Sequence, residues 1–234
     1  MKFAYFGYRS WAEDILKRIK KDRWNIDSFT VKNNEYKNIN ELNTKIIKIE
    51  EITQLNLEKY RALLFYGWSW IIPDEIIKKY ENVCLHPSPL PKYRGGSPIQ
   101  HQIINGERKS AVTLFRMNNK IDSGPVYFQK EFSLNGEIED IFRKIVNVGS
   151  SLTKKLLDDF ECETIRTFPQ DEDNATFYKR RKPEESQLTP ERINEMTSEQ
   201  IYNFIRSLGD PYPNAYILGK DGKKVLLKKV KLKK

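Results

Sequence analysis

Cysteine is scarce in this chain. Only Cys84 and Cys162 occur in 234 residues, far apart and with no CxxC spacing. That argues against a disulfide framework or a thiolate zinc site and suits a reducing cytoplasm. Histidine is equally rare: His86 and His101 are the whole supply. Long apolar runs are also missing. The longest, residues 62–73, is interrupted by Gly67 and Ser69 and is too short to span a bilayer. The opening MKFAYFGYRSW has one early lysine and no small-residue cleavage site, so it reads as a first β-strand and not as a secretion signal. There is no internal repeat and no low-complexity linker. Neither a membrane partner nor a metal is expected.

Aromatic residues are plentiful, with 12 Phe, 12 Tyr and 4 Trp, enough to build a core and to exclude global disorder. The formal net charge of +9 invites a nucleic-acid reading. The charge is concentrated, however: eight lysines and one aspartate lie between Lys220 and Lys234, and the rest of the chain is nearly neutral. A lysine-guarded edge strand explains such a tail without any nucleic acid.

Strand and helix signals alternate through the first 160 residues. Aromatic-rich Lys2 to Gly7 reads as a strand. Ser10-Trp11-Ala12-Glu13 has the form of a capping box opening a helix to about Lys21. Strands follow at Ile26–Val31, Ile46–Ile49, Ala62–Tyr66, Val83–Leu85, Val112–Met117 and Val126–Phe132. Helices are expected from Pro73, from Ser97-Pro98 and over Glu137–Phe160. This alternation predicts an α/β fold, a Rossmann-like mostly parallel sheet with helices on both faces. After Phe160 the pattern changes to a helix at Thr197–Leu208 and a hairpin turned by Asp221-Gly222. Residues 1–185 are therefore expected to form the main domain and residues 186–234 a small C-terminal helix and β-hairpin subdomain.

Ligands of such sheets sit beyond the carboxyl ends of strands. One stretch there carries chemistry: Asn82-Val83-Cys84-Leu85-His86-Pro87-Ser88-Pro89-Leu90-Pro91-Lys92-Tyr93-Arg94-Gly95-Gly96. Strand alternation puts Asn82, Cys84 and His86 on one face. The prolines that follow stiffen the backbone, which holds the imidazole still for proton transfer near neutral pH. A lone histidine is otherwise as a rule a packed or surface residue, and His101, inside a helix, is read that way. The second stretch is Met117-Asn118-Asn119-Lys120-Ile121-Asp122-Ser123-Gly124-Pro125. A carboxylate at Asp122 can orient His86 and stabilise its protonated form, although Asp-Ser-Gly alone is ordinary turn chemistry.

Taken together, HPSPLPKYRG and FRMNNKIDSGPV resemble the signature of the folate-dependent formyltransferases, a group that includes methionyl-tRNA, glycinamide-ribonucleotide and sugar-nucleotide enzymes. The pattern is Asn-x-His-Pro-Ser, Leu-Pro-x-Tyr-Arg-Gly and Asp-x-Gly. It is met by His86, Ser88, Leu90, Pro91, Tyr93, Arg94, Gly95, Asp122 and Gly124, with Val112 and Thr113 in the preceding strand. The resemblance covers most of residues 1–185. It implies N10-formyltetrahydrofolate as donor, with Trp68, Trp70, Ile71, Ile72, Leu90, Asn118 and Asp122 lining its site. It places Ser88, Pro89, Tyr93 and Arg94 on the acceptor side. Cys84 stands where the family carries a catalytic Asn, a donor to the oxyanion worth about 2.7–4 kcal/mol, and a thiol is only a weak donor. Nothing near Cys84 in sequence predicts a nucleophilic thiolate.

Residues 177–186 resemble the Arg-x-Pro-Glu-Asp-Ser stretch of the sugar enzymes, and residues 208–215 their Pro-Tyr-Pro-Gly-Ala. Tyr178, Arg181 and Lys182 are candidate diphosphate contacts, as are Arg9 and Ser10 at the opening of the first helix. About twenty residues follow Ala215, too few for the C-terminal barrel of a tRNA enzyme. The expected reaction is therefore N-formylation of a nucleotide-linked amino sugar. A dTDP-amino-dideoxyhexose used in O-antigen-type surface polysaccharide is the family-based choice, with a homodimeric enzyme and no nucleic-acid partner. The alternatives are a methionyl-tRNA formyltransferase-like enzyme and a non-catalytic sugar-nucleotide or nucleic-acid binder.

Overall fold

A computed structural model describes residues 1–210 and 212–233. Pro211, within the segment likened to Pro-Tyr-Pro-Gly-Ala, and Lys234, in the basic tail, lie outside the described residues. The strands in chain order are β1 (Lys2–Gly7), β2 (Asn25–Val31), β3 (Thr44–Ile47), β4 (Ala62–Tyr66), β5 (Asn82–His86), β6 (Arg94–Gly95), β7 (Lys109–Arg116), β8 (Val126–Ser133), β9 (Phe177–Tyr178), β10 (Ala215–Leu218) and β11 (Lys224–Leu227). The helices are α1 (Ser10–Lys20), α2 (Asp74–Lys79), α3 (Pro98–Ile104), α4 (Ile138–Glu161), α5 (Pro190–Asn194) and α6 (Ser198–Arg206).

Seven strands make one sheet in the order β3-β2-β1-β4-β5-β7-β8. The first five run parallel, β7 is antiparallel to β5, and β8 is antiparallel to β7. β4 is buried along its whole length, as its unbroken ALLFY run demands of a central strand covered on both faces. On one face α1 and α4 bury Ile15, Leu16, Ile19, Ile141, Ile145, Leu156 and Phe160 against Phe3, Tyr5, Leu64, Val83 and Leu85. On the other, Ile52, Leu57, Ile72 and Ile76 cover Ala4, Phe6, Leu63 and Phe65. The chain winds outward through β2 and β3 and returns to β4 on the far side of β1. The strand order therefore reverses at β1 and β4, the place where such sheets open a crevice.

Two helix starts are capped in different ways. Thr197 forms its capping box with Gln200 and starts α6. The box expected of Ser10 and Glu13 is not made. Glu13, 2% exposed, turns away from the helix start and accepts from the backbone amides of Lys37 and Asn38, pinning the long loop after β2. Ser10 is left to Glu35, which accepts from its backbone N–H at 3.1 Å. Buried loop amides without a partner cost more than an unfilled helix terminus that water or another carboxylate can satisfy.

After α4 a third cluster gathers Leu188, Phe204, Ile205, Leu208 and Ala215. Arg206 fastens it to the sheet by donating to the carbonyls of Leu134 at 2.8 Å and Gly136 at 2.9 Å. β10 and β11 form the hairpin around Asp221-Gly222. β11 stops at Leu227, short of the expected Leu232, because Val230 packs into the third cluster and Lys228 pairs with Asp210 at 3.0 Å.

Candidate active site

β5 is the strand that carries the first candidate residue. Val83 and Leu85 enter the core beneath α1 and α4, which turns Asn82, Cys84 and His86 to the opposite face. Asn82 is spent on structure: its side-chain amide donates to the carbonyls of Ile76 at 2.9 Å and Tyr80 at 2.6 Å, closing the end of α2. The loop after His86 is held by side chains from three elements. Gln102 of α3 donates to Pro87 O at 3.0 Å, Thr113 of β7 to Ser88 O at 2.7 Å, and Gln129 of β8 to Leu90 O at 2.9 Å. Within the loop, Ser88 Oγ donates to Lys92 O at 2.7 Å.

That rigid loop presents the Tyr93 carbonyl to His86 Nε2 at 2.8 Å. A carbonyl only accepts, so Nε2 carries a proton and donates it. Nδ1 is then the nitrogen left for chemistry, and it lies 3.6 Å from Asp122 Oδ2. Asp122 arrives by an indirect route. β7 runs antiparallel to β5, so its end lies beside the start of β5, where Met117 N donates to Asn82 O at 2.8 Å. The turn from Met117 to Pro125 folds back along the sheet face to bring Asp122 to the other end of β5. Asp122 itself sits at φ +49°, a left-handed conformation that Asp tolerates better than most residues. Its Oδ2 accepts from Gly95 N at 2.8 Å.

Cys84 lies on the same strand face, partly exposed. Burial first, and then the negative charge of Asp122, push its thiol well above the ordinary range. The group is therefore an S–H at neutral pH, not a nucleophilic thiolate. A fixed imidazole nitrogen, a carboxylate beside it and a protonated thiol together suit proton transfer to or from a reacting amine or hydroxyl.

Residues 10–152 match the formyl transferase family. The chain belongs to that family. A methionyl-tRNA formyltransferase of Lactobacillus gasseri is 31% identical over 191 residues, which are 80% of this chain and 59% of that protein. The chain thus spans a little over half the length of the curated relatives it matches. Among solved structures, a methionyl-tRNA formyltransferase from Clostridium thermocellum aligns over 97% of this chain and 96% of its own, at 27% identity and a TM-score of 0.70. A 4-N formyltransferase from Francisella tularensis aligns over 100% and 98%, at 20% identity and a TM-score of 0.83, which shows a common fold.

The remaining residues suggested by the formyltransferase resemblance fall into two groups. The first lies near the folded-back turn. The loop 67–73 carries Trp68, packed edge-on to Phe6 and Phe65, and Trp70, edge-on to Trp68 and Tyr8. Ile72 is buried and Ile71 is 91% exposed. Asn119 donates to Asp74 at 3.1 Å and so ties this loop region to the 117–125 turn, where Asn118 accepts from Lys120 N and Ser123 Oγ. The side chain of Leu90 is buried.

The second group is largely taken up by the fold itself. Arg94 is 1% exposed, and its guanidinium donates to Gln170 and Glu172. Tyr93 donates its hydroxyl to Glu107 at 2.9 Å and stacks on Tyr178 at 4.9 Å. Ser88 is fully buried and Pro89 half-buried. Arg9 pairs with Glu35 and lies over the rings of Tyr8 and Tyr212, so the anion position at the start of α1 already holds a carboxylate. Arg181 donates to Glu185 O, and Lys182 is exposed. Sequence reasoning did not find Glu35, Gln129 or Gln170. Each is a single polar residue in a loop or on a half-buried strand, and such residues leave no periodic signal.

Among the described residues, no group of three or more His, Cys, Asp or Glu side chains is placed to hold a metal, and no helix is long and apolar enough to cross a membrane.

Proposed function

We propose that the chain moves a formyl group from N10-formyltetrahydrofolate to the amino group of a nucleotide-linked sugar. The observation that carries this reading is the His86–Asp122 pair, with Nε2 tied down by the Tyr93 carbonyl and Nδ1 3.6 Å from the carboxylate. We assign the flat, apolar folate ring to the loops 67–73 and 117–125, which the Asn119–Asp74 contact ties together. Ile71 and Ile121, on these two loops, are 91% and 68% exposed, and Trp68 Nε1 is buried without an acceptor. Covering an isoleucine side chain is worth about 1.5–3 kcal/mol. Ile71→Ser is therefore expected to raise KM for the donor about tenfold with kcat nearly unchanged, in steady-state assays.

The bound donor supplies the formyl carbon as electrophile. The chain's own residues handle the proton. His86 Nδ1 takes a proton from the attacking amine as the new C–N bond forms, the Asp122 charge stabilises the imidazolium that results, and the proton passes to the folate nitrogen as its bond to the formyl carbon breaks. The Tyr93 carbonyl keeps the ring in one orientation throughout, so little reorganisation accompanies the step. Where the family's Asn would donate to charge developing on the formyl oxygen, this chain has the weak S–H donor of Cys84. Cys84→Asn is accordingly expected to leave kcat unchanged or to raise it, by up to about a hundredfold. Complete inactivation would reveal a role for the sulfur.

A sugar acceptor is supported by residues 177–186 and 208–215, whose sequences resemble stretches of the sugar enzymes. We take residues 186–234 as the appended small unit that carries part of this acceptor side. A dTDP-linked amino-dideoxyhexose is the acceptor we assign, in a homodimer. Methionyl-tRNA is the second reading, favoured by the sequence relatives. Incubation with N10-formyltetrahydrofolate and, in parallel, amino-sugar nucleotides and methionyl-tRNA, followed by mass spectrometry, decides between them. A one-formyl gain on a sugar nucleotide supports the proposal. A gain on methionyl-tRNA alone moves the acceptor, and no gain on either rejects formyl transfer.

A further inference from the structure

The segment after α4 returns to the site. Phe168 and Val126 exchange backbone hydrogen bonds, Val126 N to Phe168 O at 2.7 Å and Phe168 N to Val126 O at 2.8 Å. This bridge brings Gln170 against the folded-back turn. Both ends of its amide are in use. Oε1 accepts from Arg94 Nε at 3.1 Å and Nη2 at 2.7 Å, while Nε2 donates to Asp122 O at 2.9 Å and Gly124 O at 2.7 Å. The orientation is forced, because a guanidinium only donates and carbonyls only accept. Arg94 is in turn held by the Glu172 carboxylate. Its neighbour Gly95 grips the Asp122 side chain through its N–H. The backbone of Asp122, at φ +49°, is thus clamped by Gln170 and its carboxylate by Gly95.

We propose that Gln170 is a positioning residue: with Arg94 behind it, its amide holds the backbone of the Asp122 turn and so sets the approach of that carboxylate to His86 Nδ1. The proposal rests on the formyl-transfer reading only for its kinetic consequence. Its geometric content concerns His86 and Asp122 alone.

The two histidines make a direct test practical. In histidine-ring 15N spectra of the full chain, a His101→Gln variant assigns both residues. Gln170→Leu keeps the volume of the side chain and removes the clamp. It is expected to displace the His86 ring signals in the same direction as Asp122→Asn, by at least about a third as much, with His101 unmoved. Added to Asp122→Asn, it is expected to displace them no further, since its effect passes through that carboxylate. Unmoved His86 signals in Gln170→Leu, or an equal displacement in both backgrounds, would overturn the proposal.

Should Gln170→Leu fail to fold, Gln170→Glu serves. It keeps acceptors for Arg94 and turns an oxygen toward the carbonyls of Asp122 and Gly124. Its displacement of His86 is expected to be at least twice as large in the wild-type background as in Asp122→Asn, and equality would again overturn the proposal. In the kinetic arm, Gln170→Leu is expected to lower kcat about tenfold or more with KM for each substrate within about threefold. A substrate-free spectral result that holds while no formyl transfer is found rejects only the reaction. Wild-type transfer with an unmoved His86 rejects only the positioning role.

Discussion

Asp122→Asn is expected to lower kcat/KM for formyl transfer by about a thousandfold while leaving the folded structure intact. The structural duties of this residue survive the change. Asn tolerates a left-handed backbone as well as Asp does, its Oδ1 can still accept from Gly95 N, and Gln170 holds the turn through backbone carbonyls. What disappears is a negative charge 3.6 Å from His86 Nδ1, in a site where both side chains are mostly covered. At an effective dielectric of about 20, a charge pair at that separation is worth about 4–5 kcal/mol, or about three decades in rate if the imidazolium forms only in the transition state. Matched thermal melts with the rate loss would assign it to chemistry. A variant within tenfold of wild type would remove Asp122 from the role of charge partner. His86→Ala is expected to lose a comparable amount, and the double variant little more, because residues that act as a unit do not add.

How much of this could be read from the chain differs from residue to residue. The face of β5 was legible, because Val83 and Leu85 are apolar at a period of two and leave Cys84 and His86 on the other side. The parallel half of the sheet was legible too, from the alternation of buried strands with amphipathic helices. The direction of β7 was not. A strand that enters antiparallel has the same composition as one that enters parallel, so Asp122 could be predicted to follow a strand but not to begin from the far end and fold back. Arg94 shows another limit. The family resemblance places Arg94 on the acceptor side, yet pairing of β6 with β9 draws it inside to serve Gln170 and Glu172. Gln170 lies 48 positions from Asp122, and its side-chain amide donates to a backbone carbonyl there, a partner for which sequence carries no residue-specific mark.

The folded-back turn depends on one position more than any other. At Gly124 an added Cβ would lie 1.7 Å from the carbonyl oxygen of Arg116 and 2.9 Å from its carbonyl carbon. These are backbone atoms of β7, and the amide of the same residue is fixed by a 2.8 Å hydrogen bond to Pro125 O. Neither partner can rotate away, so alanine must push the turn outward, breaking the Gln170–Gly124 contact and carrying Asp122 with it. Gly124→Ala is therefore expected to cost about 3 kcal/mol of stability, the upper range for an overpacked site. It is also expected to cost about a hundredfold or more in kcat, since an ångström of misplacement is enough for that. Gly106→Ala is the control. Its φ is +81°, but nothing lies within 4 Å of the added carbon, so it carries backbone strain of about 1–2 kcal/mol with no path to the site. Chemical denaturation and initial rates on both variants separate the two effects. Wild-type turnover in Gly124→Ala would mean that the Asp122 turn reaches His86 without being pressed against β7, and that the close approach to Arg116 plays no part in placing the carboxylate.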